Sequence, residues 1–508
     1  MGPDNGWTGR LLRIALGQKS MTRWIVMATA MAMALGIRTA SAQYDTPDIN
    51  LYAPPIPASP SDRAVSADQA AALQAQIDEL KRELARQKFN NGGVPAMNVS
   101  VPNNGAPDIV EDVDSLMKWR ESVERSEEKA AAAAALKPSV KVGGRFFYDV
   151  ADFSQNQASL NQVGDAEDEM RLRWCWIELG GNVLENTTYR VWFDVAAQVS
   201  LLDVYLDFGE LPFIQNFRVG HFFEPFSMEQ LTPNKYLETM ERSSPFLLGR
   251  NMGIMAHSDN AEANWTYGVG LFVSEQGSKP PFYEGDTDAS AITGRVTYLP
   301  WYDEASDGRG LIHLGAGYSW RHLGDGNTQF QNRPDSALAP VIVNTGLIDA
   351  DYYHLAGLEA AYVYGSFTLQ SAYHWVSVDT DNFGSESFDH YYVQASYFLT
   401  GENRSYNRRS GSFSNRVVPY ENFFRVRTED NYICNGLGAW ELAYRFSHDD
   451  LNSDNIFGGT DYRHLAGLNW YLSPFTRVMF QYVYSNTDDQ VASNGELHVF
   501  QTRLQFDF

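Results

Sequence analysis

The sequence predicts an all-β fold, a 16-stranded antiparallel transmembrane β-barrel, preceded by a short helical or coiled-coil segment in the periplasm. Aromatic residues make up 13% of a chain whose mean hydropathy is only -0.35, an unusual pairing for a soluble globule. From Ser139 onward, segments of roughly ten residues alternate apolar with polar or small side chains, as the strands of outer-membrane barrels do. The chain also ends in an aromatic strand at Phe508. These three observations together predict the fold class.

The N-terminus predicts export from the cytoplasm. Arg23 provides a positive charge, residues 24–35 an apolar run, and Ala40-Ser41-Ala42 a small-residue cleavage site, the three parts of a secretory signal peptide. We therefore interpret residues 1–42 as a signal peptide. Because the pattern restarts at Met21, the sequence leaves open whether that methionine is the true start.

Between the signal peptide and the barrel the sequence predicts linkers and helices. They are a Pro/Ser-rich linker at 43–65, a short coiled-coil helix at 66–89, a second linker at 90–107 and a helical spacer at 108–137. Ser66 and Gln69 form a capping box at the start of the first helix. Its apolar seam has the 3,4 spacing of a coiled coil and consists of Ala70, Leu73, Ile77, Leu80 and Leu84. A lone amphipathic helix is the alternative, and the sequence names no partner for a coiled coil.

The barrel is predicted at residues 138–508, with sixteen strands. The predicted strands are 139–151, 168–182, 187–197, 199–208, 216–222, 251–258, 263–274, 290–299, 309–321, 352–364, 366–377, 388–400, 437–448, 461–472, 476–486 and 497–508. In the third strand, Tyr189, Val191 and Phe193 share one face, whereas Arg190 and Asp194 share the other. A soluble β-sandwich would alternate similarly. Charged residues on the polar faces and aromatic residues at the strand ends favour the barrel.

The lengths of the connections predict the orientation of the barrel. Short connections are expected at 183–186, Gly365 and 473–475, and long ones at 322–351, 401–436 and 487–496. Short turns of bacterial barrels face the periplasm and long loops face the outside. We therefore expect all three long connections to lie outside the cell.

Four stretches of the barrel region resemble a single family. They are RVGHFFEPFSMEQLTPNKYLETMERSSPF (218–246), GAWELAYRFSHDDLN (438–452), GLNWYLSPFTRVMFQYVYSN (467–486) and RLQFDF (503–508). As a set they resemble the phosphate-selective porins O and P of Gram-negative outer membranes. The resemblance covers about residues 139–508. It implies a 16-stranded barrel, usually trimeric, with the loop after strand five folded inward to narrow the pore. The aromatic C-terminal strand resembles the recognition signal of the barrel assembly machinery, so we expect insertion among outer-membrane lipid and lipopolysaccharide.

Charged residues at two places predict the chemistry of the pore. The gap at 223–250, between the fifth and sixth strands, contains the residues predicted to form the constriction: Glu229, Lys235, Glu238, Glu241, Arg242 and Arg250. The arginines predicted by strand parity to line the lumen are Arg171, Arg173, Arg190, Arg218, Arg295, Arg445, Arg463, Arg477 and Arg503. A ladder of guanidinium groups would replace part of an anion's hydration shell. The alternative is that each arginine neutralises a wall carboxylate, for which the chain offers Asp194, Asp203, Asp207, Glu359, Glu441 and Asp507.

The sequence therefore predicts a porin that passes small hydrophilic solutes or ions, with phosphate and other anions as the solutes that the resemblance implies. Beyond residue 143 the lysines are only Lys235 and Lys279, fewer than the family presents along its anion path, so the sign of the selectivity and the solute stay open. The alternative is a barrel that anchors a periplasmic coiled-coil stalk with a structural role in the envelope. A third hypothesis is a barrel enzyme.

Other functions find little support in the sequence. The net charge of -24 argues against a nucleic-acid partner, which would require surplus Lys and Arg. The ten histidines follow no metalloprotease spacing, and no nucleophile elbow or phosphate-binding loop occurs in a fitting context, so no catalytic residue, metal or cofactor is predicted. Cys175 and Cys434 lack metal-ligand spacing, and the sequence does not decide whether they pair.

Overall fold

The computed structural model describes residues 138–508 except 198, 274–288, 325 and 428–431, together with Arg120 and Arg125. The predicted signal peptide, both linkers and the coiled-coil helix lie outside the described residues, as does the helical spacer apart from those two arginines. Within the described part of the chain, no helix is long and apolar enough to cross a membrane.

Sixteen long strands form one antiparallel sheet, as the sequence predicts. They are β1 Lys141–Gln155, β2 Glu169–Leu184, β3 Thr187–Asp194, β4 Ser200–Leu211, β5 Gln215–Phe223, β6 Arg250–His257, β7 Trp265–Phe272, β8 Ser290–Tyr302, β9 Gly310–His322, β10 Ile348–Tyr364, β11 Phe367–Thr380, β12 Gly384–Phe398, β13 Ala439–Asn452, β14 Phe457–Ser473, β15 Thr476–Asp488 and β16 Gly495–Asp507. Each predicted strand corresponds to one of these, with bounds that differ by a few residues.

The sheet closes on itself through its first and last strands. β1 pairs with β16 in a continuous antiparallel register from Arg145 opposite Asp507 to Gln155 opposite Leu497. Beyond that ladder, the backbone N–H of Gly144 donates to the carbonyl of Phe508, and the N–H of Phe508 donates back to Gly144. Closure satisfies the backbone groups that an open edge would leave unpaired, so the result is a barrel and not a sandwich.

The two faces of the wall differ in polarity, as the alternation in the sequence predicts. On β16, Phe500 and Phe506 are exposed on the outer surface, whereas Gln501, Arg503 and Asp507 are buried in the lumen. An apolar exterior with a polar interior is the arrangement that a lipid-embedded barrel requires.

Three connections and a short helix complete the structure. α1 Gln157–Val163 follows β1, and Asn156 caps its N-terminus by accepting from Ser159 N. The constriction loop, residues 224–249, contains α2 Met228–Leu231 and a 3-10 turn at Asn234–Tyr236. The β9–β10 loop, residues 323–347, contains the paired two-residue strands Gln331–Asn332 and Val343–Asn344. The β12–β13 segment, residues 399–438, contains a similar pair, Val426–Arg427 and Ile433–Cys434.

The prediction that the segments at 322–351 and 401–436 both lie outside is wrong. Successive connections of an antiparallel barrel lie at opposite ends. The β12–β13 segment is therefore at the same end as the short turn at Gly365, which joins β10 to β11, and the β9–β10 loop is at the other end. Length misled the prediction because the β12–β13 segment turns into the lumen instead of extending into solvent. There Tyr406 lies 2.7 Å from the ring of His313 on β9.

The three connections fill much of the lumen. Apolar side chains from the constriction loop and the β9–β10 loop pack against inward-facing residues of β10 and β12, in a cluster that includes Phe226, Phe246, Phe330, Tyr353 and Phe388. The lumen thus has an apolar core of its own, and only part of its cross-section is left to solvent.

Candidate functional site

The constriction loop crosses the barrel interior, where the sequence predicts it. Ser227 caps α2 by accepting from Gln230 N. At the other end of this turn, Arg242 donates to the carbonyls of Glu229 (2.8 Å), Gln230 (3.1 Å) and Thr232 (2.8 Å). Burial lowers the pKa of Arg242 to about 10. Arg242 therefore holds the fold of the loop, and because its side chain is only half-buried, its place beside the solvent path stays a prediction.

Backbone carbonyls of the loop bind arginines of the wall. Arg477 donates to Leu237 O (2.8 Å), Arg445 to Glu241 O (3.0 Å) and Arg463 to Ser243 O (3.0 Å). These arginines lie on β15, β13 and β14 respectively. Because the contacts come from neighbouring strands, they fix the loop against the wall formed by β8–β16, which we call the packed side.

Carboxylates of the loop are bound to the same side. Glu238 accepts from Ser396 Oγ (3.2 Å) and forms an ion pair with Arg404 of the β12–β13 segment. Burial raises the pKa of Glu238 above its ordinary value, although Arg404 opposes that effect. Glu229 lies 3.4 Å from Arg445 of β13, and Lys235 lies 3.2 Å from Asp507 of β16. These three predicted constriction residues therefore join the loop to its surroundings.

Five of the nine predicted lining arginines lie on the packed side and are buried. They are Arg295, Arg445, Arg463, Arg477 and Arg503. Arg463 contacts Asp449 (2.6 Å), Asp461 (3.1 Å) and Asp335 (3.6 Å), the last of which comes from the β9–β10 loop. For four of the five the structure favours the alternative in which carboxylates neutralise the arginines, whereas Arg477 donates to Leu237 O, Tyr471 Oη and Gln505 Oε1.

The other four predicted lining arginines lie on β2–β5 and are accessible to solvent in the lumen. Together with Arg250, the first residue of β6, they define what we call the open side. The side-chain exposures are 49% for Arg171, 40% for Arg190, 25% for Arg173, 22% for Arg218 and 13% for Arg250. The loop packs against the opposite wall, so the solvent path runs along the open side.

Two acids of the open side lie behind the arginines, whereas Glu169, the partner of Arg171, is 40% exposed. Asp203 pairs with Arg190 and Arg250 and is only 6% exposed, as is Asp207, which pairs with Arg218. Glu241 of the constriction loop receives hydrogen bonds from Arg173 (3.1 Å) and Arg503 (2.7 Å). Although burial would favour the neutral acid, these two arginines lower the pKa of Glu241 to about 2. At Arg190 and Arg218, the surface that a solute meets is therefore mainly guanidinium.

Sequence reasoning missed two groups of lumen residues. Arg404, from a connection predicted to lie outside, pairs with Glu238, and Arg145 on β1 pairs with Glu178. A row of aromatic side chains also lies beside the open-side arginines and consists of Trp174, Trp176, Trp192 and Tyr205. The row was detectable, because residues two apart on a strand share a face, as in Arg190-Val-Trp192.

The described histidines lie both in the lumen and on the outer surface. In the lumen, His390 lies 3.1 Å from Ser243 Oγ and 2.6 Å from Asp449 Oδ1, and all three residues are buried away from solvent. His354 and His464 face outward, where they lie within hydrogen-bonding distance of Tyr318 (2.6 Å) and Tyr444 (2.7 Å). Among the residues that the structure describes, no group of three or more His, Cys, Asp or Glu side chains could hold a metal ion. Cys175 is a free cysteine.

Comparisons with known proteins agree with this architecture. The family model described as phosphate-selective porin O and P matches residues 140–508. Porin O of Pseudomonas aeruginosa is 25% identical over an alignment of 408 residues, and the match covers 73% of this chain and 88% of that protein. An uncharacterized protein of Caulobacter vibrioides is 25% identical over 482 residues, 87% of this chain and 91% of its own. Among solved structures, an anion-selective porin from Comamonas acidovorans is 13% identical, with a TM-score of 0.44 over 73% of this chain and 100% of the porin.

Proposed function

The chain belongs to the phosphate-selective porin O and P family and forms an outer-membrane channel, and on that premise we propose that its open side is a passive diffusion path for small hydrophilic solutes that prefers anions. Phosphate and other small anions are the solutes we propose. The channel does no catalysis.

One observation carries the proposal: at Arg190 and Arg218 the positive group meets the solvent and its acid lies behind it, whereas the pair Arg171–Glu169 exposes both charges. Arg190 is 40% exposed, whereas its partner Asp203 is 6% exposed. The side chain of Arg218 is 22% exposed, whereas that of its partner Asp207 is 6% exposed. A charge in a narrow, low-dielectric passage acts more strongly on a passing ion than it would in bulk water. Anions are therefore enriched beside these arginines.

The guanidinium group suits this task better than an ammonium group. Its planar array of N–H donors matches the spacing of two oxygens in a phosphate or carboxylate, and it stays charged at every physiological pH. Arginines thus take the place of the lysines that this chain lacks beyond residue 143. Because Arg190 and Arg250 share a single acid, Asp203, their combined charge is incompletely neutralised.

We further propose the setting in which the channel works. The signal peptide at 1–42 directs export, residues 43–137 lie in the periplasm, and barrel assembly machinery inserts the chain among lipid and lipopolysaccharide as a homotrimer. The closed, outwardly apolar barrel supports insertion in lipid. Migration of an unheated sample in a denaturing gel, compared with a heated one, tests the trimer.

The test is ion selectivity of the purified full-length protein in a planar lipid bilayer. Across a potassium chloride gradient, we expect the sign of the reversal potential to report chloride as the more permeant ion. Arg190→Gln should move it towards cation preference, while Arg409→Gln, which removes an exposed arginine of the β12–β13 segment, is the matched control. A parent channel that conducts but prefers potassium would overturn the anion preference, and absence of conductance would overturn the open path.

A further inference from the structure

Aromatic rings accompany four of the five open-side arginines. The guanidinium carbon lies 4.1 Å from the ring centre for Arg173 and Trp174, 4.3 Å for Arg190 and Trp192, 4.3 Å for Arg218 and Tyr205, and 3.9 Å for Arg250 and Phe223. Arg190 also lies 5.3 Å from the ring of Tyr205. These distances are within the range of cation–π attraction.

The register of the strands produces this arrangement. Arg190 of β3 lies directly opposite Tyr205 of β4, and Trp192 follows two residues later on the same face. Tyr205 in turn faces Gly220 of β5. A Cβ at Gly220 would lie 2.7 Å from Tyr205 Cα, and φ at this residue is +137°, so only glycine fits opposite the tyrosine.

A ring and a carboxylate hold an arginine in physically different ways. A carboxylate contributes a full negative charge, so an arginine such as Arg463, with three acids around it, presents little field to a passing solute. A ring attracts the cation through its quadrupole and carries no net charge. An arginine held partly by rings is therefore fixed in place while its positive charge remains available to the lumen.

We propose that Trp192 and Tyr205 are positioning residues that set the anion preference of the channel: their rings hold Arg190 and Arg218 against the wall and add no negative charge to that of Asp203 and Asp207. The inference rests on the proposed anion path and adds its specificity determinant. Asp207 accepts from Nε and Nη2 of Arg218, whereas Asp203 accepts from Nη1 of Arg190, so Arg190 keeps the Nε–Nη2 pair for a solute. Oxyanions that accept two parallel N–H groups, such as carboxylates and phosphates, are the class of solute that such a pair binds best.

The experiment compares two substitutions at Trp192 in the full-length protein in planar bilayers. Trp192→Leu keeps an apolar side chain but removes the ring, whereas Trp192→Phe keeps a ring and also reduces the volume. We expect Trp192→Leu to lower the ratio of chloride to potassium permeability by about threefold to tenfold, and Trp192→Phe to retain most of it. Trp375→Leu, which removes an outward-facing tryptophan of β11, should leave the ratio unchanged.

Conductance and selectivity together separate the ring effect from simple widening of the pore. Both substitutions at Trp192 widen the lumen and should raise the conductance, but only the loss of the ring should lower the selectivity. If the Leu and Phe variants change the permeability ratio equally, the rings act only as bulk and the inference is overturned. If Trp192→Leu does not fold, tryptophan fluorinated on the ring gives the same test, because it weakens the quadrupole and nearly keeps the size.

The parent protein separates this inference from the proposed function. If the unsubstituted protein prefers potassium, the proposed anion path is refuted before any variant is measured. If the unsubstituted protein prefers chloride and Trp192→Leu has the same ratio of chloride to potassium permeability, the anion path stands and only the role of the rings is refuted. Competition by inorganic phosphate for chloride current provides a second readout, and Trp192→Leu should weaken that competition by a similar factor.

Discussion

Replacing Glu241 by glutamine should make the channel more anion-selective. Glu241 stands between the constriction loop and the open side, where it receives hydrogen bonds from Arg173 Nε (3.1 Å) and Nη2 (3.2 Å) and from Arg503 Nη2 (2.7 Å). Glutamine preserves the shape and removes one negative charge. The two arginines stay in place, since Arg503 keeps Asp149 at 2.7 Å, and more of their charge reaches the solvent path.

The size of the effect follows from Coulomb's law. For an ion passing roughly 6 Å from the carboxylate, at an effective dielectric constant of about 40, the unscreened interaction is about 1.4 kcal/mol. Screening over a Debye length of about 8 Å reduces it to roughly 0.65 kcal/mol, or about threefold in local concentration. Anions gain this factor and cations lose it, so the permeability ratio should change by about tenfold.

Reversal potentials across a salt gradient measure this change, and Glu238→Gln is the matched control. That substitution removes the same charge from the same loop, but at a buried position between Arg404 and the packed side. The reversal potential should therefore shift less than in Glu241→Gln. Equal shifts for the two variants, or none for Glu241→Gln, would refute the assignment of the solvent path to the open side.

The pH dependence of the same variant gives an independent check. The pKa of Glu241 lies at about 2 in the folded protein, below its ordinary value of 4.5, because Arg173 and Arg503 outweigh the effect of burial. The contribution of these ion pairs is therefore complete above about pH 4.5 and is lost as the pH falls through about 2. The difference between parent and variant should stay constant from neutral pH down to about 4.5. A difference that vanishes near pH 5 would contradict the pairing.

Three further predictions concern topology, assembly and stability. A cysteine introduced at exposed Gln329 should react with an impermeant reagent on intact cells, whereas one at exposed Glu421 should react only after the outer membrane is broken. The opposite reactivity would show that the barrel has the opposite orientation in the membrane. Deletion of Phe508 removes two backbone hydrogen bonds of the β1–β16 closure and should lower the amount of heat-modifiable barrel, which undiminished insertion would contradict. Arg463→Ala leaves the buried acids Asp449 and Asp461 without their arginine, while Asp335 keeps Arg445, and should cost about 3–5 kcal/mol, seen as a lower temperature of gel-mobility shift. Arg171→Ala at an exposed pair should cost about 1 kcal/mol or less.

The strands could be predicted from the sequence because membrane barrels encode them locally. Successive side chains of β16 face lipid and lumen in turn, so parity alone assigned Phe506 to the outside and Arg503 to the inside. The end of the barrel at which a connection lies is also readable, by counting strands. Loop length was used instead and gave the wrong end for the β12–β13 segment, which lies opposite the β9–β10 loop.

The open and packed sides could not be predicted, because they depend on contacts between distant parts of the chain. Parity puts Arg190 and Arg463 equally in the lumen, and only the packing of the constriction loop decides which of them meets solvent. The β1–β2 register shifts between Phe147 and Tyr148, so that Arg173 has no partner in that ladder, and no local pattern in the sequence indicates such a shift.

Because the β12–β13 segment turns into the lumen, the width of the pore does not depend on the diameter of the barrel alone. The circumference of a barrel is set by its number of strands, so a change in the wall alters the diameter in coarse steps. A connection can lengthen or shorten by one residue at a time without disturbing a single strand pair. Connections enter the lumen from both ends of this barrel. Changes in their length can therefore alter the width of the pore in small steps, and independently at each end, while the number of strands stays at sixteen.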